Sequence, residues 1–108
     1  MAKAYWVARV DVTNEDAYGR YRALNVIAFE KYGATFIVRG PAGKVVAGTP
    51  RKHNVVIEFK DYETALACYE SPEYQAAKVF LDQVGEIDLV IVPGYAPCGK
   101  NHGFPCFR

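Results

Sequence analysis

The chain has 108 residues, 51% of them hydrophobic and 23% charged, with eight Tyr, six Phe and one Trp. That is enough for one domain with a core, too little for two ordinary domains, and too apolar for a disordered chain. The formal net charge is +1 with no basic run, which supplies no electrostatic case for nucleic acid or an anionic membrane as partner.

From Ala4 to Val12 the even positions Ala4, Trp6, Ala8, Val10 and Val12 are all apolar, the period of a half-buried strand. Thr13-Asn14-Glu15-Asp16 supplies a cap and first-turn acids for a helix that runs to about Tyr32, with Ala17, Tyr21, Leu24 and Ala28 on one stripe and Gly33 as its stop. Thr35 to Val38 reads as a second strand, and Asn54-Val55-Val56-Ile57-Glu58-Phe59 as a third and the clearest of all. Between them, Gly40-Pro41-Ala42-Gly43 and Gly48-Thr49-Pro50 mark a long hairpin, whose arm near Val45-Val46 is expected to extend the sheet. A second helical region starts near Asp61. Ser71-Pro72-Glu73 breaks it into two pieces, because serine caps a helix and proline favours its first position. The second piece runs to about Gln83, and Ile87 to Val92 forms the last strand.

The order strand, helix, strand, strand, helix, strand is the split βαβ pattern, an α+β ferredoxin-like fold with a four-stranded antiparallel sheet. It assigns residues 1–95 to one domain and 96–108 to a C-terminal tail. Helices cover one face of such a sheet, and a symmetry mate is the usual cover for the other, so a homodimer is expected. The amino terminus lacks the apolar core of a secretory signal, and no stretch approaches the roughly 18–20 apolar residues that span a bilayer, so a cytoplasmic, reducing location is expected.

Tyr5-Trp6-Val7-Ala8-Arg9-Val10, the Arg39-Gly40 turn, Asn54 to Phe59 and Tyr69-Glu70-Ser71-Pro72-Glu73-Tyr74 together resemble the signature segments of domain-of-unknown-function family 1330. The resemblance spans about Met1 to Tyr95. It implies a dimeric α/β barrel, in which two ferredoxin-like sheets pair face to face, and it implies no substrate. Two positions depart from the family pattern: Pro41 follows Gly40 where a second glycine is usual, and Leu81 stands where an arginine is expected.

The candidate site residues are scattered. Arg9, Arg39 and Glu58, if they converge between sheet and partner, would form a polar pocket in which an arginine holds a carboxylate and Glu58 accepts a proton. Asn54 shares a strand face with Glu58, and Tyr5 and Tyr95 would supply hydroxyls or aromatic walls. The structural alternative is that Arg9 and Glu58 simply pair inside the barrel. His53, just before the third strand, is a loop-borne acid or base or else a surface residue. The helix tyrosines either line an aromatic cavity for a planar ligand or pack the core. Ser71 is an N-cap and not a nucleophile. In the tail, Cys98, His102 and Cys106 recur every four residues and could ligate zinc, but a structural site normally needs four ligands. Neither a phosphate loop nor a dinucleotide fingerprint occurs, so no cofactor is expected.

Two functions follow. One is a dimeric binder of a small acidic or planar organic molecule, with a cofactor-independent oxygenase or isomerase as its enzymatic form by fold analogy. The other is a non-catalytic dimer that binds a metabolite or another protein.

Overall fold

The computed structural model describes residues 2–95. The elements are β1 (Ala4–Val12), α1 (Glu15–Lys31), β2 (Thr35–Pro41), β3 (His53–Phe59), α2 (Tyr62–Glu70), α3 (Pro72–Leu81) and β4 (Gly85–Pro93). Every strand pairing is antiparallel, and the sheet order is β2-β3-β1-β4. This is the ferredoxin-like arrangement, with both central strands flanked and the helices on one side.

Local chemistry accounts for the boundaries. The Asn14 side chain accepts a hydrogen bond from the Ala17 amide at 3.1 Å, while Glu15 and Asp16 sit against the positive end of α1. Gly33 follows the helix at φ 68°, a conformation that glycine adopts freely. Ser71 serves two helices at once. Its hydroxyl donates to the Cys68 carbonyl at 2.7 Å, closing α2, and accepts from the Tyr74 amide at 3.1 Å, opening α3 behind Pro72. The expected break between the two helical pieces therefore lies at this serine.

The arm around Val45-Val46 departs from expectation. Ala42 N–H donates to the Lys52 carbonyl at 3.1 Å, but residues 42–52 otherwise form an exposed loop and not a strand. A strand needs a buried face to hold its register, and this segment has none; Gly43, Gly48 at φ 76° and Pro50 further break any ladder.

The core lies between the sheet and the helices. Trp6 is buried at its centre, with its ring 4.8 Å from Tyr74, 5.2 Å from Phe29 and 5.4 Å from Phe59, and its indole N–H donates to the Ala65 carbonyl at 3.0 Å. Ala4 and Val10 are buried on the same face, as the alternation in β1 requires. On α1 the buried residues are Ala17, Asn25, Ala28 and Phe29. Asn25 thus takes an inward place where the expected stripe has Leu24, which is only half-buried.

The opposite face of the sheet is bare. Register aligns Val38, Val56, Val7 and Val90 in one row across all four strands. Val38 and Val90 are 47% and 52% exposed. Polar rows flank the valines: Thr35, Glu58, Tyr5 and Val92 on one side, Gly40, Asn54, Arg9 and Asp88 on the other. Among the described residues no helix is long and apolar enough to cross a membrane.

Candidate functional site in the cleft beneath helix α1

The expected convergence of Arg9, Arg39 and Glu58 does not occur, and a β-bulge is the reason. Pairing shifts between Phe36 and Val38, so Ile37 is an extra residue in β2 and everything after it changes face. Thr35 opposes Glu58 on the bare face, whereas Arg39 opposes Val55 on the helix-covered face. Tyr5, Arg9, Asn54 and Glu58 all lie on the bare face. Arg9 and Glu58 do not pair there either: they are four residues apart along the ladder, roughly 13 Å. Arg9 instead faces Asp88 at 3.8 Å, while Glu58 accepts from Lys3 Nζ at 3.1 Å and from the Tyr5 hydroxyl at 3.3 Å. Tyr95 lies beyond the end of β4 and is largely exposed. Cys98, His102 and Cys106 lie outside the described residues. Among those described, no group of three His, Cys, Asp or Glu is placed to hold a metal.

On the covered face a cleft opens between α1 and the sheet, and a small residue creates it. Ala8 sits mid-strand between Trp6 and Val10, which are 1% and 3% exposed, yet Ala8 itself is only half-buried. Its neighbours across the ladder, Val55 and Leu89, are half-buried too. With no side chain rising from Ala8 to meet α1, a cavity of about 40 Å³ remains. That is room for a water molecule or a small functional group.

The walls carry the chemistry. Successive inward turns of α1 place Tyr18, Tyr21 and Arg22, Asn25 and Phe29 along the cleft, at the spacing of one helix face. The sheet contributes Trp6, Phe36 and Arg39. The Tyr21 and Tyr74 hydroxyls are 2.8 Å apart, and the Asn25 side chain lies beside Tyr21 on the cleft wall. Burial pushes both phenols above their ordinary range, so both remain protonated and able to donate. Tyr74 has no exposed surface and belongs to the core, whereas Tyr18 and Tyr21 line the cleft, so packing and cavity-lining both apply to the helix tyrosines.

The two arginines stand at the mouth, each laid on an aromatic ring: Arg39 is 4.6 Å from the Phe36 centroid and Arg22 is 5.6 Å from that of Tyr18. Neither has a carboxylate partner among the described residues, and none of the lining residues is Asp or Glu. The cleft is therefore electropositive at its rim and aromatic inside. His53 is not loop-borne as expected but opens β3; it is outside the cleft lining, with its ring 5.7 Å from that of Tyr18. Of the expected site residues Arg39 lines the cleft, and His53 stands next to its Tyr18 wall. Ala8, Arg22 and Asn25 are absent from the sequence-based set, although each leaves a trace: a small residue inside an alternating strand, and polar groups on a helix's apolar stripe.

A family profile for a domain of unknown function, DUF1330, matches residues 3–95. The chain belongs to the DUF1330 family. No curated protein matches it. Among solved structures, the DUF1330 chain resembles a protein of unknown function from Rhodopseudomonas palustris, with TM-score 0.68 and 17% identity over 89% of this chain and 85% of that one. It also resembles a dimeric ferredoxin-like protein of unknown function from Jannaschia sp. CCS1, with TM-score 0.61 and 18% identity over 83% and 97%. A candidate antibiotic biosynthesis monooxygenase from Nitrosomonas europaea shares the fold at TM-score 0.53 and 14% identity over 91% and 95%.

Proposed function

We propose that this DUF1330 chain acts as a homodimer in which each protomer binds a small, planar organic anion at the mouth of the cleft beneath α1. The observation that carries the reading is the pair of ring-stacked arginines, Arg22 and Arg39, at the mouth of an aromatic cleft with no acidic residue in its lining. An uncompensated guanidinium recruits a carboxylate or enolate bidentately. Tyr21 and Asn25 then offer donors to an oxygen seated in the small cavity, while the flat body, too large for about 40 Å³, lies over the mouth against Phe36 and Tyr18. The dimer part of the reading is supported by the bare valine row and by the fold's occurrence in proteins described as dimeric. Turnover would need a proton acceptor. Glu58 is on the far face, and His53 is the imidazole beside the cleft's Tyr18 wall.

Benzoate is a suitable probe, and Trp6, the single tryptophan, reports on the site. Titration should move the indole N–H resonance. Arg39→Gln and Arg22→Gln should each weaken binding about tenfold, the worth of one charge-assisted contact. Ala8→Leu, which fills the cleft, should abolish it while the protein stays folded. Benzoate binding that ignores all three substitutions, or an indole resonance unmoved at millimolar benzoate, would overturn the reading.

A further inference from the structure

The loop between β2 and β3 combines an exposed apolar tip with a firmly held root. Val45 and Val46 are 46% and 85% exposed. The charged residues of segment 42–52, Lys44, Arg51 and Lys52, are all basic. At the root, the Lys52 amide donates to Asp11 Oδ1 at 2.9 Å, while Arg51 donates to Asp11 Oδ2 at 3.0 Å and to Asp88 Oδ2 at 2.7 Å.

The direction of that anchoring is informative. Asp11 and Asp88 both lie on the bare face, on β1 and β4. Arg51, just before β3, therefore lies over that face and bridges the neighbouring strands β1 and β4. Its side chain is only 23% exposed, held among three carboxylates that include Glu86 at 3.9 Å. The loop root is thus bent toward the side of the sheet that a second protomer is proposed to cover.

We infer that this loop is a clasp whose Val45–Val46 tip docks on the second copy of the chain, so that a two-fold dimer is held by two clasps as well as by the valine rows. The inference rests on the dimer reading above. Continuity with the bare face selects the occupant, since Arg51 fixes the loop at that face's edge. Charge agrees: with Asp11 and Asp88 held by the chain's own Arg51, the exposed Glu86 and the acids Glu15 and Asp16 at the start of α1 remain to face Lys44 and Lys52 of a second copy's loop. An isologous contact forms twice, so a modest apolar contact at each tip counts double in the dimer.

Two measurements on the full chain test this. Val46→p-benzoylphenylalanine, placed in a mixture of ¹⁴N- and ¹⁵N-labelled protein and irradiated, should give mixed-isotope cross-linked peptides. Val46→Asp should raise the dimer Kd about tenfold, whereas Val79→Asp, at an exposed position on α3, should leave it unchanged. A wild-type dimer whose cross-links all stay within one protomer, or whose Kd ignores Val46→Asp, overturns the clasp and leaves the dimer standing. A wild-type chain that sediments as a monomer at tens of micromolar overturns the dimer reading and the clasp together.

Discussion

The hydroxyl pair of Tyr21 and Tyr74 allows a prediction in which two similar substitutions differ in cost. Tyr74 is fully buried, and its hydroxyl meets that of Tyr21 at 2.8 Å. Tyr21→Phe strands the Tyr74 hydroxyl in the core, which costs the desolvation of an unpaired polar group, roughly 1–3 kcal/mol. Tyr74→Phe leaves the Tyr21 hydroxyl facing the cleft beside Asn25, where it is not stranded, so only the net worth of one hydrogen bond is lost, about 0.5–1.5 kcal/mol. The double substitution removes both partners and should cost less than the sum of the two, by about 1 kcal/mol. Urea unfolding followed by Trp6 fluorescence measures all three, with protomer concentration held constant because association contributes to apparent stability. Additivity to within a few tenths of a kcal/mol, or Tyr74→Phe costing more than Tyr21→Phe, would refute the reasoning.

Three further outcomes follow from local geometry. Gly85→Ala should destabilise by about 1–3 kcal/mol, because φ is 147° and an added Cβ would run into the Asp11 carbonyl and crowd Thr13; a thermal midpoint within a degree of wild type would contradict this. The Lys52 amide bond, then Arg51, hold the Asp11 carboxylate below its ordinary pKa of 3.8, so this anchor is intact above that pH and is lost as pH falls through the lower folded value. The Asp11 carboxyl carbon should accordingly titrate below 3.8 by NMR and move only part of the way back in Arg51→Ala, because the Lys52 amide bond remains. Burial pushes the Cys68 thiol up to about 12, so the Cys68 peptide should stay unalkylated by iodoacetamide at pH 8 in the native protein and react fully in urea.

Much of the architecture is legible in the residues because its signals are local. Alternation in β1 and β3, the Asn14 and Ser71 caps, Pro72 and Gly33 each act within a few positions, and the structure places element boundaries within two or three residues of those signals. The order of elements then dictates the ferredoxin-like topology. Family membership is legible for the same reason, since its segments follow one another along residues 3–95.

The candidate site is a different matter, because it depends on which side chains share a face after the strands pair. The period of two in β2 holds only until the bulge at Ile37, a feature set by pairing with β3 that sends Arg39 to the helix side, away from Arg9 and Glu58. The cleft itself exists because Ala8, three strands' neighbours and one face of α1 meet in space; no single segment encodes it. Likewise Val45-Val46 has the composition of a strand, but the tertiary fold gives it no buried face to lie on. Short-range patterns of polarity and capping were enough for the chain to specify its helices, strands and their order. Which charges face which cleft was decided by register and packing, interactions between residues tens of positions apart that local sequence does not constrain.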